Sequence, residues 1–245
     1  MKSGRRRFTP GLWPSIATLL MVPFLVSLGM WQLDRAGQKR EIHASYMQRQ
    51  QAPVVDLNRE VALRQDEQQI LWHRVRAYGH FDETIQVLLD NQVKNNQAGY
   101  FVFTPFQLHG DATWYLVNRG WLPAGPDRSK LPVLSHSSGS LQISGVAKHA
   151  QGTGILLGAQ TEEEPQPGIY RVNRIVIPHL EKLLNRKLKP YVIRLDGESL
   201  AGYLRDWPLP GSDENMHLGY AFQWFALACM VLVIYIVLNL KKRDE

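Results

Sequence analysis

The sequence predicts a membrane-anchored α+β protein, with two transmembrane helices flanking a mostly antiparallel β domain that carries one or two helices of its own. Three observations predict it. Residues 12–30 (LWPSIATLLMVPFLVSLGM) and residues 218–240 contain no charged side chain. Each run is about as long as a helix needs to be to cross some 30 Å of hydrocarbon, and a single helix satisfies its own backbone hydrogen bonds there. Between them, the apolar residues alternate with polar ones in short segments punctuated by Gly, Pro and Asn, which is the pattern of half-buried strands.

The elements follow in order. Residues 1–11 form a basic tail, and residues 12–31 the first span. Pro14 is tolerated near its start, whereas Pro23 sits mid-span, where a kink is expected. A secretory signal would have a shorter apolar core and a small-residue cleavage site; GMWQLDR supplies neither. Residues 32–52 are strongly polar and continue the first helix as a stalk until Pro53 stops it. Residues 53–216 form the β-rich domain. Within it, residues 70–81 alternate as a strand, TIQVLLD forms a second, and residues 99–108 and 113–122 flank the turn-forming His109-Gly110-Asp111-Ala112 as a hairpin. LQISGVAK is a further strand, and 127–139 an exposed loop. Residues 151–158 are glycine-rich, and TEEEPQPG reads as a solvated acidic loop. Residues 173–185 recover helical spacing, with Ile177, Leu180 and Leu184 on one stripe and Pro178 weakening the start. PYVIRLD is the last strand. The second span occupies 217–240, and 241–245 close the chain as another basic tail.

Charge distribution narrows the function. The chain carries a net +6, but its two tails hold seven basic and two acidic residues, which leaves 21 basic and 20 acidic between the spans. The domain is therefore nearly neutral, and a nucleic-acid partner is not expected. Basic tails on both sides predict cytoplasmic termini, with the domain on the opposite side, periplasmic in a bacterial inner membrane. They also suit the anionic lipid of the bilayer. The single cysteine, Cys229, lies in the second span, so neither an intrachain disulfide nor a Cys-x-x-Cys redox centre is available.

Catalytic motifs are missing from the sequence. It contains no G-x-S-x-G, Walker loop, H-E-x-x-H or G-x-G-x-x-G, and its eight histidines show no metal-ligand spacing paired with carboxylates. A periplasmic hydrolase would need a nucleophile grouped with a base, and none can be grouped. The expectation is a protein that is not an enzyme.

Six segments, GMWQLDR, WHRVRAYGHFD, GYFVFTPF, WYLVNRGWLP, LRDWP and HLGYAFQWF, follow one another along the chain. Together they resemble the surfeit locus protein 1 family, from the first span to the end of the second. The resemblance implies two spans and a role in assembling haem-copper cytochrome c oxidase, with oxidase subunit I as partner and haem a synthase as a candidate second one. It further implies that His217, at the mouth of the second span, ligates the iron of haem a held transiently. Tyr220, Ala221 and Trp224 follow His217 at helical spacing on one face, and small Ala221 leaves room for a flat macrocycle or a partner helix. Trp31, Gln32 and Arg35 end the first span at the same depth, where Arg35 could pair with a propionate or a lipid phosphate. The same aromatic residues also fit an interfacial belt that any membrane protein carries. Asn118, Arg119 and Trp121 are candidate partner-binding residues, with a buried, paired Arg119 as the alternative. Arg205 and Asp206 either cap a turn or contact a partner or the bilayer. A scaffold that stabilises an oxidase intermediate without cofactor is the other reading of the whole.

Overall fold

The computed structural model describes residues 6–59, 67–127, 130–137, 139–150, 162–199 and 202–242. The glycine-rich segment 151–158 lies outside them. The chain divides into two units, Met1–Met47 with Pro208–Glu245, and Gln48–Trp207.

The first unit is a pair of long helices. Helix α1 spans Leu12–Gln51 without interruption, Pro23 included, so the apolar run and the polar stalk are one element. Among its buried residues, Leu25, Gly29, Gln32 and Ala36 recur at intervals of four, three and four, the spacing of a coiled-coil seam. Their partner is the C-terminal helix, Glu214–Asn239, whose buried Ala221 and Ala228 lie seven apart. Contacts down the pair run antiparallel. The Ser15 and Tyr235 hydroxyls are 2.7 Å apart, a Cβ added to Gly29 would lie 2.6 Å from the Phe225 ring, and Lys39 pairs with Asp213 at 2.8 Å. Small residues along the seam let the backbones approach, as in membrane helix pairs. At the tail end, strand β1 (Arg6–Phe8) pairs antiparallel with the last strand, Leu240–Lys242, and Asn239 Oδ1 accepts a hydrogen bond from the Gly11 N–H at 2.9 Å. Away from the seam the helices expose Leu12, Trp13, Leu19, Leu20, Phe24, Phe222, Val237 and Leu238. A core helix of a water-soluble domain would bury such side chains. Both helices are long and apolar enough to cross a membrane, and they anchor the chain there.

The second unit is a sheet rolled on itself. Its strands are β2 (Val55–Asp56), β3 (Arg74–Phe81), β4 (Gln86–Lys94), β5 (Gln97–Leu108), β6 (Trp114–Pro123), β7 (Leu141–His149), β8 (Glu162–Gln166), β9 (Ile169–Val172) and β10 (Leu188–Leu195). A short helix α2 (Glu67–Ile70) precedes β3, and α3 (Ile177–Leu184) lies between β9 and β10. The neighbours run β2-β3-β7-β10-β6-β5-β4-β9-β8, and β3 also pairs with β5. That extra pairing closes β3, β7, β10, β6 and β5 into a five-stranded barrel. Strand β5 makes it possible because it is twelve residues long: its first half pairs with β4 and its end with β3, through Gly79↔Leu108 to Phe81↔Phe106. The strands approach so closely there that a Cβ on Gly79 would lie 2.0 Å from the Gln107 carbonyl oxygen. Most pairings are antiparallel; β2 with β3, β4 with β9 and β6 with β10 are parallel.

Alternation decides what fills the barrel. Along β3, Val75, Ala77 and Phe81 point in and Arg74 and Arg76 point out, and the interior is completed by Phe106, Tyr115, Val117, Ile143, Ile193 and Leu195. A second core lies outside the barrel wall, where Leu116 and Val192 meet Ile177, Leu180 and Leu184 of α3. Strand β6, covered on both faces, is therefore buried almost throughout. The three residues of the predicted α3 stripe are the ones the helix buries. Pro178 falls in the first turn, where its missing N–H has no helical acceptor to lose. Asn185, left-handed at φ 48°, ends the helix by donating its N–H to the Glu181 carbonyl.

Two expectations are corrected. The strand expected from residue 70 begins at Arg74: Ile70 ends α2, and Trp72, at φ 69°, is left-handed and cannot continue a strand. The acidic segment expected as a loop contains β8, paired on one side only with β9. All five residues of β8 are exposed, and its three glutamates and Pro165 are the residue types that keep an edge strand from pairing further.

Candidate functional site at the mouth of the helix pair

The C-terminal helix, α4, begins just before His217, and Gln32 lies on the facing seam of α1. Their side chains meet, with His217 Nδ1 2.8 Å from Gln32 Oε1. An amide oxygen only accepts, so in the neutral ring Nδ1 carries the proton and Nε2 keeps its lone pair. Nε2 lies 3.8 Å from Asp213 Oδ2, and that carboxylate is engaged by Lys39. The hydrogen bond from Lys39 holds the Asp213 carboxyl below its ordinary range. Arg40 with Glu214 at 2.6 Å and His43 Nδ1 with the Pro210 carbonyl oxygen at 3.1 Å continue the clasp along α1. Gly211 is required here. At φ 76°, it has its Cα so near α1 that a Cβ would lie 2.2 Å from the Lys39 carbonyl oxygen.

Of the residues expected around His217, the structure brings Gln32 to it and sets the rest about a rim. Gln32 and Ala221 are buried, Trp224 is half-buried, and Tyr220, Trp31 and Arg35 are exposed. The Arg35 guanidinium carbon lies 6.0 Å from the centre of the Trp31 ring, and its Nη1 donates to Gln38 Oε1 at 2.8 Å. Ala221 is only 1% exposed, so its small side chain lies in the packed interior of the helix pair. Among the described residues, no group of three or more His, Cys, Asp or Glu side chains could hold a metal ion.

The other candidates lie in the β domain, and most are interior. Arg119 is fully buried. Its guanidinium donates to the Ser135 carbonyl at 3.0 Å and Ser137 Oγ at 3.2 Å, faces Glu83 Oε1 at 3.5 Å, and stacks over Phe81 and Tyr203 at 5.0 and 5.4 Å. Of the two readings of Arg119, the buried, paired one describes this geometry. Asn118 accepts the Gly120 N–H, and buried Trp121 donates to the Gln92 carbonyl. Gly120, at φ 118°, lets the chain turn under Leu204, whose main chain bonds Trp121 in both directions. Arg205 donates to the carbonyls of Tyr203 and Asp196; burial lowers its pKa and Asp196 opposes that. Asp206 is exposed and paired with Lys94 at 3.3 Å.

A sequence model of the SURF1 family matches residues 19–229, which contain both helix seams, the barrel and His217. The chain belongs to the SURF1 family. It is 27% identical over 227 residues to a SURF1-like protein of Rickettsia bellii, covering 90% of this chain and 88% of that one. A SURF1-like protein of Monosiga brevicollis is 23% identical over 245 residues, covering 94% and 88%. Surfeit locus protein 1 of Arabidopsis thaliana is 28% identical over 120 residues, 45% of this chain and 34% of that protein.

In this SURF1 chain, sequence reasoning passed over Lys39, Arg40, Asp213 and Glu214, which clasp the site, and Glu83, the acid beside Arg119. The clasp had a signal. Once two spans are paired antiparallel, residues equally far from the bilayer face each other, so opposite charges at 39–40 and 213–214 are legible. Glu83 had none, because nothing local ties a turn residue to a strand 36 positions away.

Proposed function

We propose that this chain is an assembly factor for haem-copper cytochrome c oxidase that holds haem a at the mouth of its two spans and passes it to subunit I. Family membership supports the assembly role, and the basic tails support cytoplasmic termini, with the β domain on the periplasmic side of a bacterial inner membrane. One observation carries the haem reading: the His217–Gln32 pair at 2.8 Å. An imidazole whose Nδ1 proton is held by an acceptor would offer Nε2 to the haem iron, and such second partners are typical of metal-binding histidines. The surroundings fit the group. His217 is half-buried, exposed Tyr220 and Trp31 offer flat apolar faces, and Arg35 offers a guanidinium for a propionate. A single protein ligand on an open rim suits cargo that must be released. When bound, the iron supplies only the coordination that retains the haem.

The full chain, purified in mild detergent from cells that make haem a, is expected to carry a visible haem band, which His217→Ala abolishes. Gln32→Leu is expected to weaken haem binding by roughly 10- to 100-fold. A wild-type chain without any band sinks the carrier reading. The scaffold reading has its own observation, since Ala221 and Gly29 show the seam beside His217 filled by packing. It predicts full oxidase activity in cells whose only copy is His217→Ala.

A further inference from the structure

A second cluster lies wholly within the β domain, on the outer face of the barrel wall. In the β7–β10 register, Lys148 opposes Val192 and Arg194 opposes Val146, so the two cations share a face as diagonal neighbours, about 7–8 Å apart at their Cα atoms. Arg74 opposes Val146 from the other side and joins the same row. Lys148 and Arg194 are 9% and 8% exposed. Each lies against an indole: Lys148 Nζ is 4.6 Å from the centre of the Trp72 ring, and the Arg194 guanidinium carbon 5.0 Å from that of Trp207. Among the described residues no carboxylate pairs with Lys148, and Asp196, further along β10, is engaged by Arg74 at 3.6 Å. Trp72 sits there in a backbone conformation that a bulky side chain seldom adopts, φ 69°. Its N–H donates to the Ala147 carbonyl at 2.7 Å and its carbonyl accepts from Gln50 at 3.0 Å. Strain held in this way marks places where the fold positions a side chain for a purpose.

Two buried cations side by side repel each other. The indole faces recover part of the lost hydration. Burial first and Arg194 second lower the Lys148 pKa to about 8, so the isolated site sheds its proton easily. An anion between the ammonium and the guanidinium would restore it.

We propose that Lys148, Arg194 and Arg74, framed by Trp72 and Trp207, bind a phosphate group, and that its source is the headgroup of an anionic phospholipid. Indoles interleaved with basic side chains are what membrane surfaces select.

The test is acetylation of Lys148 in the full chain near pH 8, read by mass spectrometry, with exposed Lys130 as internal reference. An anion that raises the amine pKa by about one unit removes most of the reactive neutral form. Labelling of Lys148 should therefore fall roughly fivefold or more in phosphatidylglycerol nanodiscs relative to phosphatidylcholine nanodiscs, with Lys130 unchanged. Arg194→Gln should abolish the difference; if that variant does not fold, the exposed Arg74→Gln should reduce it. Protection in detergent by inorganic phosphate, without any by phosphatidylglycerol, supports the phosphate site and overturns the lipid as its source. Equal Lys148 labelling under all four conditions overturns the proposal.

Discussion

Lys148 and Arg119 are both cations inside the β domain, and their surroundings give them different physical roles. Arg119 has its charge and donors met by Glu83, Ser135 and Ser137, so its burial is compensated, and it ties the loop through 135–137 to the barrel. Lys148 has a ring and a like charge. Its pKa is lowered in the folded chain from 10.5 to about 8. Between those values the unfolded chain holds a proton that the folded chain has released, so unfolding takes up a proton and the unfolding free energy rises with pH. Below about pH 8 the folded state carries the full cost of the buried charge, on the order of 3 kcal/mol. In anion-free detergent the denaturant midpoint should therefore increase from pH 8 to 10, and Lys148→Met should flatten that increase while raising the midpoint at pH 7. A wild-type midpoint that does not rise over this range contradicts the burial described for Lys148.

Among the elements, the α1–α4 seam is the one whose sequence and geometry agree most closely. Leu25, Gly29, Gln32 and Ala36 form a continuous stripe only if α1 is a helix, and Gly29 is needed only if α4 packs against it. A leucine at position 29 would drive atoms into the Phe225 ring, already 2.6 Å from where a Cβ would lie. Gly29→Leu should lower the thermal midpoint of the detergent-solubilised chain and weaken the His217–Gln32 contact three residues along. Phe225→Ala in the same chain should restore much of both, and additive losses in the double variant would show that the two residues do not meet. Both helices, the β5–β6 hairpin and the α3 stripe were legible in the sequence because each rests on local periodicity or turn chemistry. The closure of β3 onto β5, the parallel pairings and the edge strand β8 were not. Period-two alternation tells which face of a strand is buried and is silent on which strand lies beside it. The candidate site divides in the same way. Helical spacing grouped His217, Tyr220, Ala221 and Trp224, whereas the burial of Asn118, Arg119 and Trp121 depends on β6 being covered on both faces, which only the assembled barrel reveals.

For the molecule as a whole, charge is segregated along the chain. Seven of its basic residues lie in the two short tails, and the region between the spans is balanced to within one charge. The tails meet, since the backbones of Arg6 and Lys242, and of Arg7 and Lys241, pair across the ladder between β1 and the Leu240–Lys242 strand, so both tails lie at one end of the helix pair. Like charges brought together in this way repel, unless a negatively charged membrane surface lies beside them; there each is favoured by about 1 kcal/mol. In the proposed topology that surface is the cytoplasmic one, because basic residues flanking a span are retained on that side. An alkaline phosphatase fused after position 140 should consequently be active, and a fluorescent protein fused at the C-terminus should fold and fluoresce in the cytoplasm. Replacing Lys2, Arg5, Arg6, Arg7, Lys241, Lys242 and Arg243 with glutamine removes the bias at both ends at once. It should lower phosphatase activity at position 140 severalfold, because part of the population then inserts inverted. Activity confined to the inverted orientation in the wild type would place His217 and Gln32 at the cytoplasmic surface, and haem delivery from the periplasmic side would fall with it.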